Sequence, residues 1–339
     1  MIDFDYVKAR DVSDAISHIA RDSAARFIAG GTNLIDLMKE NVARPTRLID
    51  ITGLPLTEIE ETKPGGLLIG ALVPNSDLAY GERIMKRYPL LSSAILAGAS
   101  AQLRNMASTG GNLLQRTRCL YFYDTTTPCN KRKPGSGCGA LHGFNRMNAI
   151  LGWSETCIAV HPSDMCVVLA VLEATVHVSG PKGDRAIPFA EFHRLPGDTP
   201  DIDTNLAGDE IITAIELPAE GFARNYSYLK IRDRLSYAFA LVSVAACLEM
   251  GSGGAIRDAR LALGGVAHKP WRRPQAEEVL IGRKPDDASF AAAADVLLEG
   301  AQGREHNAFK IELARRAIIR ALTQAAAGTP QSQSDKRIA

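Results

Sequence analysis

Thr109-Gly110-Gly111-Asn112-Leu113-Leu114 opens a stretch that closes on His161-Pro162-Ser163-Asp164, and its composition is unlike the rest of the 339-residue chain. Four of the six cysteines fall inside it: Cys119, Cys129, Cys138 and Cys157. Around them stand Arg116, Arg118, Lys131, Arg132, Lys133 and Arg146 against few acids. Gly135, Gly137, Gly139 and Gly143 make the connection hostile to helix. A segment so rich in Cys, Gly and cations is not built to fill a core. It reads as a redox insertion over residues 115–160, held on a platform made by the rest of the chain.

The opening of that stretch echoes an earlier one, Ala29-Gly30-Gly31-Thr32-Asn33-Leu34. There a strand, Arg26 to Ala29, runs into a Gly-Gly turn and then a helix marked by Leu34, Leu37 and Met38. Strand, Gly-Gly, helix suits phosphate, because glycine lets backbone approach closely and the helix start offers free N–H groups. One such turn is as well explained by packing. Two in one chain point to a pyrophosphate gripped from both sides.

Outward from these motifs the pattern predicts an α+β chain. A first helix capped by Ser13 carries Ala15, Ile16, Ile19 and Ala20, and Pro45 ends the second helix before a strand at Arg47–Asp50. A strand at Leu67–Ala71, a helix capped by Ser76 and another over 89–98 precede the insertion. After it come a helix capped by Ser163 or Asp164, a strand at 174–178 and a period-two strand over 210–217 that stops at Pro218. Then follow a strand at 226–232, a hairpin around Gly251-Ser252-Gly253-Gly254, and helices over 275–281, 288–298 and 306–324. The division this implies is a two-lobed domain over 1–222, with a small βαβ lobe over 1–55 and a larger mixed or antiparallel lobe over 56–222. A C-terminal domain of a small antiparallel sheet with a helix bundle follows over 223–326, with a disordered tail over 327–339.

Composition excludes several classes. With 46% apolar and 23% charged residues and a net charge of +1, the chain lacks the basic excess of a nucleic-acid binder. It has no apolar run near the ~20 residues of a membrane span. Met1-Ile2-Asp3-Phe4 has no signal-peptide pattern, so the expectation is a cytoplasmic chain or one exported on a signal-bearing partner. Clustered cysteines in so large a protein suggest a metal site rather than a disulfide scaffold. Cys119, Cys129, Cys138 and Cys157, spaced x9, x8 and x18, could supply the four thiolates of a [4Fe–4S] cluster or the ligands of a structural zinc, the latter with His142 or His161. Spacing alone leaves the two level. Cys166 and Cys247 lie in apolar runs and read as core.

Ala29-Gly30-Gly31-Thr32-Asn33-Leu34, Thr109-Gly110-Gly111-Asn112, Pro162-Ser163-Asp164 and Tyr228-Leu229-Lys230, in that order, resemble the FAD-binding (medium) subunits of the molybdenum hydroxylases, the xanthine and carbon monoxide dehydrogenase family. The resemblance runs over residues 1–325. It departs at one place: most members reach the Ser-Asp pair soon after Gly-Gly-Asn, whereas here residues 113–162 intervene. That insertion is similar to the one in flavin subunits of bacterial periplasmic aldehyde oxidoreductases, a subgroup in which it holds a [4Fe–4S] cluster.

The resemblance implies roles. Phe27, Ile28, Ala29, Gly30, Gly31, Thr32, Asn33 and Leu34 would wrap the FAD pyrophosphate, and Thr109, Gly110, Gly111 and Asn112 would face the phosphates and flavin edge. Asp164 would bond a ribityl hydroxyl, Ile212 would pack on the adenine side, and Lys230 would lie near the isoalloxazine, with Tyr237 a weaker candidate to cover the ring. Plainer readings stand beside these: a helix cap for Asp164, a solvated strand lysine for Lys230, core for Tyr237. Cys119, Cys129, Cys138 and Cys157 would hold the [4Fe–4S] cluster. The chain would be the electron-transfer flavoprotein of an aldehyde oxidoreductase, a heterotrimer with a [2Fe–2S] small subunit and a molybdenum-cofactor large subunit, periplasmic by co-export. No residue here would need to act as a catalytic acid or base. A 4-hydroxybenzoyl-CoA reductase-type flavin subunit and a zinc-bearing binding module are the alternative readings.

Overall fold

The computed structural model describes residues 1–219 and 221–328. The tail expected over 327–339 falls, from Thr329 on, outside the described residues. The first lobe is a parallel three-stranded sheet in the order β1-β3-β2, made by β1 (Asp5–Lys8), β2 (Ala25–Ile28) and β3 (Arg47–Asp50). Parallel neighbours require crossovers, which α1 (Val12–Ala20) and α2 (Leu34–Lys39) supply. The cap of α1 is Asp11, whose carboxylate accepts from Asp14 N at 2.8 Å; Ser13 lies inside the helix. Helix α2 stops at Lys39, ahead of Pro45, because Asn41 turns the chain at φ 57.

The second lobe is an antiparallel five-stranded sheet in the order β4-β5-β8-β6-β7. It is built from β4 (Ile59–Glu61), β5 (Leu67–Gly70), β6 (Thr175–Gly180), β7 (Gly183–Pro188) and β8 (Ile211–Leu217). Between β5 and β6 run α3 (Asn75–Tyr80), α4 (Glu82–Arg87), α5 (Pro89–Ala97), α6 (Ala101–Met106), α7 (Thr109–Leu113), α8 (Leu120–Tyr123) and α9 (Asp164–Val171), and α10 (Phe189–Phe192) follows β7. Helix α3 begins one residue before the expected cap, because Pro74 in an extended conformation ends the preceding chain; Ser76 donates to Asp77 instead. Helix α9 is apolar on nearly every side, and it needs to be: it packs on α5 and also on β10 and β11 of the next domain.

That next domain is an antiparallel sheet in the order β12-β11-β10-β9, from β9 (Asn225–Ile231), β10 (Val242–Met250), β11 (Ile256–Gly264) and β12 (Trp271–Arg272). Helices α11 (Pro274–Glu278), α12 (Asp287–Leu297) and α13 (Phe309–Ala326) cover it. The whole is α+β with separate parallel and antiparallel sheets. Among the described residues no helix is long and apolar enough to cross a membrane.

Residues 124–163 hold no helix or strand. Backbone groups there must still be paired if buried, and side chains do much of it. Arg132 donates to Tyr121 O at 2.6 Å, to Phe122 O at 2.8 Å and to Thr127 O. Lys310, fully buried on α13, donates to Asn148 O at 2.8 Å and Gly265 O at 2.5 Å. Asn307 donates to Asn148 O at 3.3 Å and Ala149 O at 3.1 Å.

Candidate functional site

A cleft of about 2070 Å³ opens between the first lobe, the second lobe and the edge of the C-terminal sheet. It exceeds the ~300–1,000 Å³ typical of a drug-sized ligand. Both Gly-Gly turns line it. Gly30 has no room for a side chain: a Cβ would stand 1.6 Å from Met106 O, so the first turn sits backbone to backbone against the end of α6, just ahead of the second turn. Gly31 follows at φ +70, where glycine carries no Cβ penalty. Ser108 caps α7, accepting from Gly111 N at 3.2 Å.

Every residue expected to touch the flavin lines the cleft except Thr109. Thr109 is buried, and its hydroxyl donates to Val73 O at 2.8 Å. Asp164 is nearly buried at the start of α9, where Ser163 is the cap. Its carboxylate accepts from Tyr228 OH at 2.6 Å and from Lys230 Nζ at 2.7 Å. Asp164 and Lys230 therefore form one buried ion pair that ties α9 to β9. Ile212 is buried on β8 at the wall, and Tyr237 is exposed at φ 50 in the loop between β9 and β10.

Acids such as Asp203, Asp209 and Glu210 line the cleft as well, but its unpaired amide and guanidinium nitrogens are all donors. Asn33 Nδ2, Asn75 Nδ2, Arg104 Nε and Arg118 Nε are buried donors without a partner, and all four residues line the cleft. Leaving such groups unpaired costs about 1–3 kcal/mol each, so the cleft is made for a ligand rich in acceptors, as phosphates and flavin carbonyls are. Asn75 is held in place by its own oxygen, which accepts from Asn112 Nδ2 at 2.7 Å; Asn112 Oδ1 in turn accepts from Ser163 Oγ at 2.5 Å. This chain of side chains links the Gly-Gly-Asn turn to the Ser-Asp pair. Asn75 and Arg104 carry no sequence signal, since Pro74-Asn75-Ser76 reads only as a turn.

Beside the cleft lies the cysteine group. Cys129 and Cys138 face each other across an antiparallel bridge, and the free thiols of Cys157 and Cys138 share a hydrogen bond. Cys119 neighbours Cys129 and also lines the cleft. Main-chain amides already point at the sulfurs: Tyr121 and Phe122 at Cys119; Ala140, Leu141 and Ile158 at Cys138; Ala159 at Cys157. Hydrogen-bonded to Cys157, Cys138 is drawn down to about 6, while burial and that neighbour hold the Cys157 proton tightly.

Among the described residues the group of three potential ligands within 4.8 Å of one another is His161, Cys166 and His193, and no three of the four insertion cysteines are so close. A tetrahedral zinc with Zn–S near 2.3 Å needs sulfurs roughly 3.8 Å apart. The four thiols are therefore not gathered into one tetrahedral set, and their amide donors suit sulfurs that carry negative charge. His142 is exposed, and His161 packs on His193 with ring centroids 4.3 Å apart. His193 Nε2 lies 2.8 Å and His161 Nε2 3.4 Å from the Leu113 carbonyl, so that pair reads as packed wall with Cys166 in the core behind it. His268, which sequence reasoning missed, reaches an insertion cysteine, its Nε2 3.3 Å from Cys157 Sγ. The basic residues act as staples more than as a free face: Arg116 and Lys131 pair with Asp203, Arg118 with Asp36, and Arg146 with Asp233.

Comparison with known proteins agrees with this geometry. Residues 2–220 match the family model described as FAD binding domain in molybdopterin dehydrogenase, and residues 226–325 match CO dehydrogenase flavoprotein C-terminal domain. The chain is 50% identical over 325 residues to the aldehyde oxidoreductase FAD-binding subunit PaoB of Escherichia coli (strain K12), covering 96% of this chain and 98% of that one. It is 29% identical to the glyceraldehyde dehydrogenase medium chain of Sulfolobus acidocaldarius, over 84% of this chain and 83% of that one. Among solved structures, a chain of carbon monoxide dehydrogenase from Hydrogenophaga pseudoflava superimposes with a TM-score of 0.75 at 26% identity, covering 97% of this chain and 99% of that one.

Proposed function

This chain belongs to the FAD-binding medium-subunit family of the molybdenum hydroxylases, and from that premise we propose that it is the flavin- and [4Fe–4S]-bearing electron-transfer subunit of a multi-subunit aldehyde oxidoreductase. Bound FAD supplies a carrier that takes electrons singly or in pairs and releases them to an outside acceptor. A [4Fe–4S] cluster supplies a one-electron relay beside it.

What this chain contributes is placement. Gly30 and Gly31 allow backbone within reach of a pyrophosphate, and the orphan donors of Asn33, Asn75, Arg104 and Arg118 would take up its acceptors. The Tyr228–Asp164–Lys230 set holds a cation at the cleft wall. Cys119, Cys129, Cys138 and Cys157 would hold the cluster. The observation that supports the cluster reading is that all four thiols are strung into one group lined with amide donors. The identity to PaoB supports an aldehyde as substrate. That oxidation would take place on a partner subunit carrying molybdenum, with a [2Fe–2S] subunit between. Export to the periplasm would be carried by a partner's signal.

The test is iron, acid-labile sulfide, zinc and FAD content of the anaerobically purified complex, with EPR after dithionite. One FAD and four irons beyond those of the [2Fe–2S] subunit are expected. Zinc in place of the extra iron would sink the cluster, and absence of flavin would sink the whole reading.

A further inference from the structure

His268 lies in the loop after β11, far along the chain from the insertion, yet its Nε2 stands 3.3 Å from Cys157 Sγ. The side chain is 8% exposed, and its other nitrogen, Nδ1, is buried without a partner. A cysteine that binds metal is a thiolate, an acceptor only. The ring nitrogen facing it must then carry the proton. The opposite tautomer would aim a lone pair at a negative sulfur and bury an unpaired N–H at Nδ1, whereas the first arrangement makes the bond to sulfur and leaves only the Nδ1 lone pair unpaired. The loop is fixed in place by the insertion itself: Ile150 N and Leu151 N both donate to Val266 O at 3.0 Å, and His161 N donates to Ala267 O at 2.9 Å. The histidine is therefore part of the wall built around the four sulfurs, supplied by the C-terminal domain.

We propose that His268 donates an N–H···S hydrogen bond from Nε2 to Cys157 and thereby raises the reduction potential of the cluster, acting as a positioning residue for it. The inference rests on the four-cysteine cluster reading. Reduction adds negative charge to the cluster, and a donor to a ligating sulfur stabilises that charge, so each such bond moves the potential upward. Asn148 Nδ2, 3.6 Å from Cys119 Sγ, is a longer contact of the same kind inside the insertion. His268 differs in coming from another domain, so the domain contact and the potential are set together.

The experiment is an EPR-monitored potentiometric titration of the whole complex, wild type against His268→Phe and His268→Gln, with iron and sulfide measured on each. The Phe variant should keep its iron and show a more negative midpoint. The Gln variant, whose amide can still donate, should lie between it and wild type. Pulsed EPR on wild-type complex labelled with ¹⁵N-histidine should show a histidine nitrogen coupled to the reduced cluster, a readout that holds even if the Phe variant loses iron. A full iron complement with an unmoved midpoint, or no histidine coupling, would overturn this inference alone. Absence of the extra iron in wild type would overturn the cluster reading and this inference with it.

Discussion

Asp164 shows why a motif residue should be judged by what it holds. Its side chain is 9% exposed and its ion-pair partner Lys230 4%, so neither charge has water to fall back on. Removing one member of such a pair leaves the other buried and unpaired, at about 3–5 kcal/mol. Lys230→Met should destabilise the fold by that amount and Tyr228→Phe by less, about 1.5–3 kcal/mol for a bond to a charged group. Adding Asp164→Asn to Lys230→Met should restore part of the loss, because it removes the stranded charge. Denaturant melts of the three variants decide it; a Lys230→Met chain as stable as wild type would mean that the pair is a surface pair in solution. His193 argues in the same way from burial. Its pKa is lowered from 6.5 to about 4 by desolvation, and that of His161 is lowered too. The folded state stays neutral while the unfolded chain takes up a proton below pH 6.5. Stability should therefore be level above pH 6.5 and fall as pH drops toward 4, by about 1.4 kcal/mol per pH unit for each such histidine. Melts at pH 7, 6 and 5 should show this slope in wild type and a shallower one in His193→Gln.

At the scale of elements, the strands that the sequence pattern missed have one thing in common. Asp5–Lys8, Ile59–Glu61, Gly183–Pro188 and Trp271–Arg272 are all edge strands. An edge strand is short and half solvated, and its polar residues guard it against mispairing. It therefore lacks the alternation that makes Ile211–Leu217 or the hairpin of Val242–Met250 and Ile256–Gly264 readable. Both Gly-Gly turns and the Ser163 cap were legible because turn and cap chemistry is local. Asn75, Arg104 and His268 were not, because only long-range folding brings them to the cleft or to a cysteine. The insertion lies between these cases. Its cysteines were visible, but what holds a loop without strands or helices was not. Lys310 is central to that: burial pulls its pKa down to about 7, yet its Nζ faces carbonyls from the insertion and from Gly265, just after β11, the surroundings of an ammonium donor. Lys310→Met would leave those carbonyls buried and unpaired at about 1–3 kcal/mol each. Hydrogen exchange should quicken at Ala149, whose N–H bonds Ile158 O, well before it does in the first lobe. Unchanged protection there would show that Asn307 alone holds the segment.

For the molecule as a whole, the cleft is where three hydrophobic clusters meet. The first lobe's cluster, around Ala15, Ile49 and Leu54, takes only Leu72 and Ile211 from its neighbour, whereas the C-terminal sheet shares a core with the second lobe through Tyr228, Ala245, Cys247 and Ala262 and has a further cluster around Val244, Leu261 and Phe290 under its helices. The cleft wall takes Gly30 and Asn33 from one, Asn75 and Gly111 from the second lobe, and Lys230 from β9. A ligand that binds all three together stabilises only the assembled state, by RT ln(1 + [L]/Kd), about 2.7 kcal/mol at a hundredfold excess over Kd. FAD should therefore do more than raise the melting temperature: it should make the chain melt as one unit. Calorimetry of the stripped chain should resolve the first lobe from the joined second lobe and C-terminal domain, and saturating FAD should merge the two transitions and move them upward. Gly30→Ala supplies the control, since its Cβ would displace the Met106 carbonyl that sets the turn. An overpacking shift of about 1–3 kcal/mol weakens binding roughly 5- to 140-fold at 1.4 kcal/mol per decade. At a fixed FAD concentration the variant should keep more of the split transition than wild type. A stripped chain that already melts in a single step, at the temperature of the loaded one, would mean that the lobes are joined by their own packing through Leu72 and Ile211 and that the flavin is held by one lobe alone.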